Sequence, residues 1–581
     1  MRDASKTLVR WRPLVVVLAL VAALVVAGFV QAQPLPRNET VYKAGMQWGP
    51  PAGFNPFMTG DRWPVSQVPN DGHLIYEPLF AYDLLTGDLD PVLARSIEWI
   101  DELTAQATLF DGTYWQDGLP LTVEDVVYTY DLVRRYDTPN TAVWNYLESV
   151  TVVDDRTVAF TLDAERPHRA MVLHQLTLVR IVPQHIWEIL ELDFDTITEI
   201  PNWEPVGSGP YTLLRYSPEQ VAVERFDDYW GSEAHGVPAP RYIVHPIFRS
   251  NDAGNLALER GQVDWSQQFV PEIWRMWEDR GLPVGTWFDE EPYFLPAGIP
   301  SLFINLQRDG LSEPLVRRAL AFAIDYPNIA ETAMSRYSPV ARSSMIVPVG
   351  VAEQRFFNEE DVAEHGWRYD PEEAVRILEQ ELGATKGSDG IYVLPDGTRL
   401  GPWIAHCPYG WTDWMTALEI VSESARAVGI DVRTEFPEAP VSHDRRNTGN
   451  FDLTLWTPEG GQSPAHPWIR FHHVMDNRGV ADIGGIAFRN WNRYQNDEAE
   501  ALLDRAALTE DEAELAEIYR QLDRIFMRDI PMIGLMYRPW QFYSFNETYW
   551  TNFPSEDDPY ASPMHGHTGM QIYLNLQPVN P

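Results

Sequence analysis

Four tryptophans stand where a strand-like run gives way to a loop. Trp48 ends "VYKAGMQW", Trp265 ends "QVDW", Trp456 ends "FDLTLW", and Trp411 follows "WIAHC". Polar side chains come next in each case: Asn55 after Trp48, Gln267 and Gln268 after Trp265, Thr412 and Asp413 after Trp411, Glu459 and Gln462 after Trp456. Tyr409 adds a further ring two residues before Trp411. Flat indoles beside amides and carboxylates suit a small-molecule cleft, where apolar walls supply area and a few polar groups fix orientation. Ligands of open α/β sheets also collect beyond the carboxyl ends of the strands. The competing reading is core filling, which 22 tryptophans make easy. Trp274 and Trp277, three apart in "PEIWRMW", divide in the same way, one toward a cleft and one toward the core.

Covalent chemistry lacks its usual parts. The sequence has no phosphate-binding G-x-x-x-x-G-K-[ST], no G-x-S-x-G elbow, no S-x-x-K, no H-E-x-x-H and no C-x-x-C. The tight histidine clusters, His472-His473 and His565 to His567, have no carboxylate at a ligand spacing, so neither a metal nor a cofactor is expected. The single cysteine, Cys407, cannot form an internal disulfide and reads as a buried filler. The acidic runs Asp289-Glu290-Glu291 and Asp557-Asp558 lie in polar loops and read as solvated. A secreted hydrolase with an unrecognised site stays as a distant alternative.

These residues need elements to hold them. Residues 403–407 read as a strand, Asp413 to Val428 as a helix and Ile430 to Phe436 as a strand, a unit that implies parallel pairing. Trp414, Leu418, Val421, Ala425 and Val428 are spaced 4, 3, 4 and 3 apart, which puts them on one helix face. With Thr412 as N-cap, Trp414 anchors helix on sheet, while Trp411 stays in the loop beside free N–H groups. Earlier in the chain, Thr122 is placed to cap a helix from Val123, with Glu124 and Asp125 in its first turn.

The 581 residues exceed one hydrophobic core, so two or three domains are expected. Residues 1–32 read as an export signal: Arg2, Lys6, Arg10 and Arg12 precede an apolar run from Leu14 to Val30, and "VQA" offers a cleavage site. An uncleaved anchor is the alternative. The net charge of −40, from 84 acidic against 44 basic residues, argues against nucleic acid or anionic lipid as a partner.

The order of segments resembles the family 5 extracellular solute-binding proteins of ABC importers, which take peptides, nickel or oligosaccharides. The likeness is carried by "YWQDGLPLTVEDVVYTY", "VGSGPYTL", "LERGQVDW", "PLVRRALAFAID", "YDPEEAVRILEQ", "ARAVGIDVRTEF", "FDLTLW" and "IYRQLDRIFMRDIPMIGL". Within that group "GLPVGTWFDEEPYF", "CPYGWTDW", "VGIDVRTEFPE" and "YWTNFPSEDDP" look most like cellobiose- or cello-oligosaccharide-binding members. The resemblance implies an α/β fold of two lobes with mixed sheets, a hinge and an extra domain inserted in the first lobe. The expected division is signal 1–32, first lobe 33–78, inserted α/β domain 79–204, first lobe again 205–300, second lobe 301–534, and first lobe once more 535–581. It also implies no catalysis, a monomer on the periplasmic or extracellular face of the membrane, lobes that close on ligand, and delivery to membrane permease subunits. Peptide-binding members commonly hold the ligand amine with an Asp just after the strand matching "FDLTLW"; here the stretch reads "WTPEGG" and the nearest acid is Glu459. With the tryptophan excess, this favours a β-linked gluco-oligosaccharide such as cellobiose, with a peptide as the alternative. The expected ligand-binding set is Trp48, Asn55, Trp265, Gln267, Gln268, Tyr409, Trp411, Asp413, Trp456 and Glu459.

Overall fold

The computed structural model describes residues 35–45, 49–58, 73–136, 138, 140–348, 353–458, 463–539, 542–563 and 569–579. Trp48, Glu459, Gln462, His565 to His567 and the 1–32 segment lie outside the described residues. Among the described residues no helix is long and apolar enough to cross a membrane.

The chain builds two lobes, each around its own sheet. In the first, Thr40–Ala44 runs parallel to Tyr242–Pro246 on one side and to Trp265–Ser266 on the other. Gln220–Arg225 and Tyr211–Ser217 extend the sheet beyond Tyr242–Pro246, and Ser544–Asn546 and Val284–Gly285 complete its other edge. A buried ion pair ties the early chain to this sheet. Asp264 accepts from Arg37 at 2.5 Å and from the Tyr42 backbone at 2.8 Å, which satisfies a carboxylate that burial would otherwise penalise.

The second lobe holds five strands in the order Val432–Glu435, Trp403–His406, Leu453–Trp456, Ser301–Ile304, Met532–Gly534. The first three are mutually parallel, and Ser301–Ile304 is antiparallel to both its neighbours. The strand–helix–strand unit is present with slightly shorter strands, and its helix spans Thr412–Val428. All five residues of the apolar stripe are buried, the Leu and Val side chains each stabilising by about 1.5–3 kcal/mol. The helix stops at Gly429, whose φ of +104° is open to glycine at little cost.

A four-stranded antiparallel sheet, in the order Ala94–Trp99, Thr104–Leu109, Thr157–Leu162, Leu147–Val152, lies between the first two strand regions of the first lobe. The helix Val123–Arg135 packs on it. Thr122 caps that helix in a reciprocal box, with Asp125 accepting from the Thr122 backbone at 2.9 Å.

The chain crosses between the lobes twice, and the crossings run side by side. Gly298 and Arg538 exchange backbone hydrogen bonds at 2.9 and 3.0 Å. Rings pack around the crossings: Tyr337 lies edge-on to Phe294, Phe269 and Phe542, and its hydroxyl donates to the Val270 carbonyl and accepts from the Ile273 N–H. Trp274 stacks on Tyr293 at 5.2 Å and Trp277 meets the same ring, so both belong to this packing.

Candidate functional site

Three of the second lobe's parallel strands end on the same side, and the loops there assemble an aromatic cluster. Helix Ala439–Thr448 projects His443 and Arg446 three residues apart, hence from one face. The Arg446 guanidinium lies over Trp456 at 3.7 Å and over Trp491 at 4.5 Å. Trp411 lies 5.4 Å from Trp456 and tilted by 30°, while Trp414 and His443 meet Trp456 edge-on. Trp491 itself meets Trp456 edge-on, with ring centres 6.5 Å apart and planes at 88°, so Arg446 fills the corner between the two rings. A desolvated cation over a ring contributes about 2 kcal/mol, so this corner is held firmly. Trp411 and Trp456 are both half-buried, and Tyr409, two residues before Trp411, is 64% exposed.

Thr412 is not the cap of its helix. Trp411 occupies the N-cap position and Thr412 is the first helical residue. Its hydroxyl instead accepts from the Asn251 amide at 3.1 Å. Asn251 begins the first-lobe helix Asn251–Glu259, so this hydrogen bond spans the lobes. Asp413, expected to offer a free carboxylate, is buried and ion-paired with Arg538 at 2.9 Å, beside the crossing strands. It joins the Trp411 loop to the hinge.

The first-lobe candidates separate by their partners. Gln268 points its amide at the Ser250 carbonyl, 3.4 Å away, and fills the space a side chain on Gly254 would need. Gln267 is 3% exposed, and neither its amide oxygen nor its nitrogen has a hydrogen-bond partner among the described residues. A buried, unmatched amide costs about 1–3 kcal/mol, so it is a group waiting for a partner. Its backbone N–H pairs with Ala44, next to the Gln268–Ser250–Asn251–Thr412 chain that leads to Trp411.

Two expected ligand residues sit in the interior instead. Asn55 is fully buried, donates to the carbonyls of Ile197 and Ile200, and accepts from the Phe57 N–H, which leaves its amide committed to holding loops together. Trp265 is fully buried, with the Lys43 ammonium 4.3 Å from its ring centre and Tyr543 and Tyr573 around it. Strand-end position alone did not separate these from Trp411, because the same position borders both core and cleft. Arg446, His443, Trp491, Asn251 and Arg538 were not anticipated. For His443 and Arg446 the signal was available as a three-residue spacing in "SHDRR", directly after a strand.

Little here suits covalent chemistry. Cys407 is buried, and burial with Asp413 and Glu419 nearby pushes its thiol far up, so the thiolate is disfavoured. His406 and His443 are pushed down to about 4 by burial and by neighbouring arginines, and stay neutral. Among the described residues no group of three His, Cys, Asp or Glu is placed to hold a metal.

Residues 88–479 match the profile of the bacterial extracellular solute-binding proteins, family 5. A Thermotoga maritima structure, described as a mannohexaose-bound oligopeptide ABC transporter periplasmic oligopeptide-binding protein, is 33% identical with TM-score 0.85, covering 94% of this chain and 100% of that one. An Agrobacterium fabrum protein named as a probable peptide-binding protein is 25% identical over 499 residues, 79% of this chain and 78% of its own. The oligopeptide-binding protein of Bacillus subtilis in complex with a nonapeptide shares the fold, with TM-score 0.73 and 19% identity over 93% of this chain and 99% of that one.

Proposed function

Because the chain belongs to the bacterial extracellular solute-binding proteins of family 5, we propose that it captures an oligosaccharide between its lobes, which close over it, and hands it unchanged to the membrane subunits of an ABC importer. The observation that supports the sugar reading is the cluster of Trp411, Trp456, Arg446 and Trp491, in which the Trp411 and Trp456 indoles are left half-buried. Such a face matches the C–H face of a sugar ring, and the unmatched Gln267 amide suits an edge hydroxyl. Trp411, Tyr409 and Gln267 are the proposed ligand contacts, with Trp456 packed against Trp411. Trp48 and Glu459 remain proposed from the sequence pattern. The mannohexaose in the Thermotoga maritima relative points the same way.

A second reading, an oligopeptide receptor, is favoured by the names of the relatives, since all three described above refer to peptides. Against it stands the stretch after "FDLTLW", which reads "WTPEGG" and carries no Asp for a ligand amine. Calorimetric titration of the mature protein with mannohexaose, cello-oligosaccharides and a mixed peptide pool separates the two. The sugar reading expects heat with at least one sugar and none with peptides; the reverse pattern overturns it.

A further inference from the structure

Away from that cleft, the segment carrying the four-stranded sheet packs directly against the second lobe, and the packing is rich in imidazoles. His168 precedes the helix Arg169–Leu178 and His174 lies on it. His168 meets Trp468 of the second lobe edge-on, with ring centres 4.3 Å apart. Trp468 in turn stacks on His472 at 4.6 Å, and its indole N–H donates to the Leu503 carbonyl. Tyr146 closes the other side of His168 and also touches Trp468. His174 is placed toward His466, which lies 3.3 Å from Glu353.

The imidazoles of His168 and His174 are buried, and among the described residues His168 Nε2 and His174 Nδ1 have no hydrogen-bond partner. Buried polar atoms are normally matched, so two unmatched ones on one face need a reason. The charged groups around them give no relief. His466 shares Glu353 with Arg470, which engages that carboxylate through both nitrogens. Tyr82 stands near the same carboxylate and near Arg355, which pairs with Glu512. His472 lies 3.8 Å from Asp476, whose carboxylate is already bound by Arg478 and Arg489. Arg166 lies near Tyr146, and at the rim Arg169 pairs with Glu510 at 3.1 Å. A proton on His168 or His174 would have no carboxylate to itself.

We propose that this face between the inserted segment and the second lobe is a proton-operated latch, held by the neutral imidazoles of His168 and His174 and parted when they bind protons. Burial pushes His168 down to about 3, with His472 adding to the effect, and His174 down to about 4. Parted, each returns toward the ordinary value near 6.5. The closed face is then fully favoured above that value and loses ground as pH falls below it. At pH 5.0 each imidazole that becomes free shifts the balance toward the parted state by about 30-fold, and the two together by about 1000-fold. Release of ligand on acidification would follow, and that consequence alone rests on the lobe-closure reading above.

Hydrogen exchange on the full mature protein, without ligand, tests the latch at pH 7.5 and 5.0 after correction for intrinsic rates. Protection in residues 169–178 and 468–475 is expected to fall at least 30-fold at pH 5.0, while far-ultraviolet circular dichroism stays unchanged. His168→Gln/His174→Gln, which keeps polar side chains that cannot charge, is expected to lose most of that dependence. Glu510→Gln removes the rim ion pair and should lower protection equally at both pH values. Unchanged wild-type protection, global unfolding at pH 5.0, or the same pH dependence in the double variant would overturn the latch. Should the double variant not fold, the single variant His174→Gln is expected to flatten the profile by about 30-fold. Failure of lobe closure shows separately, as an unchanged scattering radius when mannohexaose is added at pH 7.5.

Discussion

Replacing Trp411 by alanine removes one half-buried indole of the cluster and leaves Trp456, Arg446 and Trp491 in contact. One indole face covers about 80 Å² of ligand, worth about 2 kcal/mol of apolar burial, and stacking geometry adds about 0.5–1.5 kcal/mol. The expected loss of sugar affinity is therefore roughly 70- to 400-fold. The fold should lose little, about 1–2 kcal/mol, because the ring is half-buried and its partners are other rings. Trp414 is the matched control. It is 4% exposed on the helix face that packs on the sheet, so Trp414→Ala should cost about 3–5 kcal/mol of stability. Calorimetric titration with mannohexaose and thermal melting, run on both variants, give the comparison. Trp411→Ala binding as tightly as wild type while melting far lower, or Trp414→Ala losing sugar without losing stability, would refute the assignment of one ring to ligand and the other to core.

Other expectations follow from the same contacts. Glu77 is buried with Tyr229 and Trp230 donating to it, and burial pushes its carboxyl up to about 7. Ionisation then weakens the fold as pH rises from about 4.5 to 7, so the stability difference between wild type and Glu77→Gln should move by about 3 kcal/mol in favour of the variant between pH 4.5 and 8, read by urea unfolding. Asp413→Asn strands Arg538 beside the crossing strands and should destabilise by about 3 kcal/mol, with Asp413→Asn/Arg538→Met recovering much of the loss in melting experiments. Arg446→Met removes the cation that packs against both Trp456 and Trp491 and should cost about 2 kcal/mol while changing the near-ultraviolet circular dichroism of these edge-on indoles.

Regular elements were legible in the sequence wherever one local rule governed them. The helix Thr412–Val428 was readable because its stripe repeats at 4 and 3, and the helix after Thr122 because its cap and first-turn acids are adjacent. The site was legible only in part. Trp411 and Trp414 could be divided by helix phase, since one precedes the first turn and the other lies in it. Trp265 and Asn55 could not be placed, because whether a strand end faces core or cleft depends on distant residues such as Lys43, Tyr573 and Ile197. Asp413 looked like a free acid because Arg538, its partner, lies 125 positions away. The cellobiose preference suggested by resemblance is not supported by the relatives described above, of which the Thermotoga maritima structure carries mannohexaose.

The most direct test is to purify the mature protein without denaturation, release what it carries, and identify it by mass spectrometry, with titration of the emptied protein to confirm binding. An oligosaccharide that rebinds, and rebinds at least 30-fold more weakly to Trp411→Ala, is the predicted result. A bound peptide that rebinds equally well to Trp411→Ala would contradict the account.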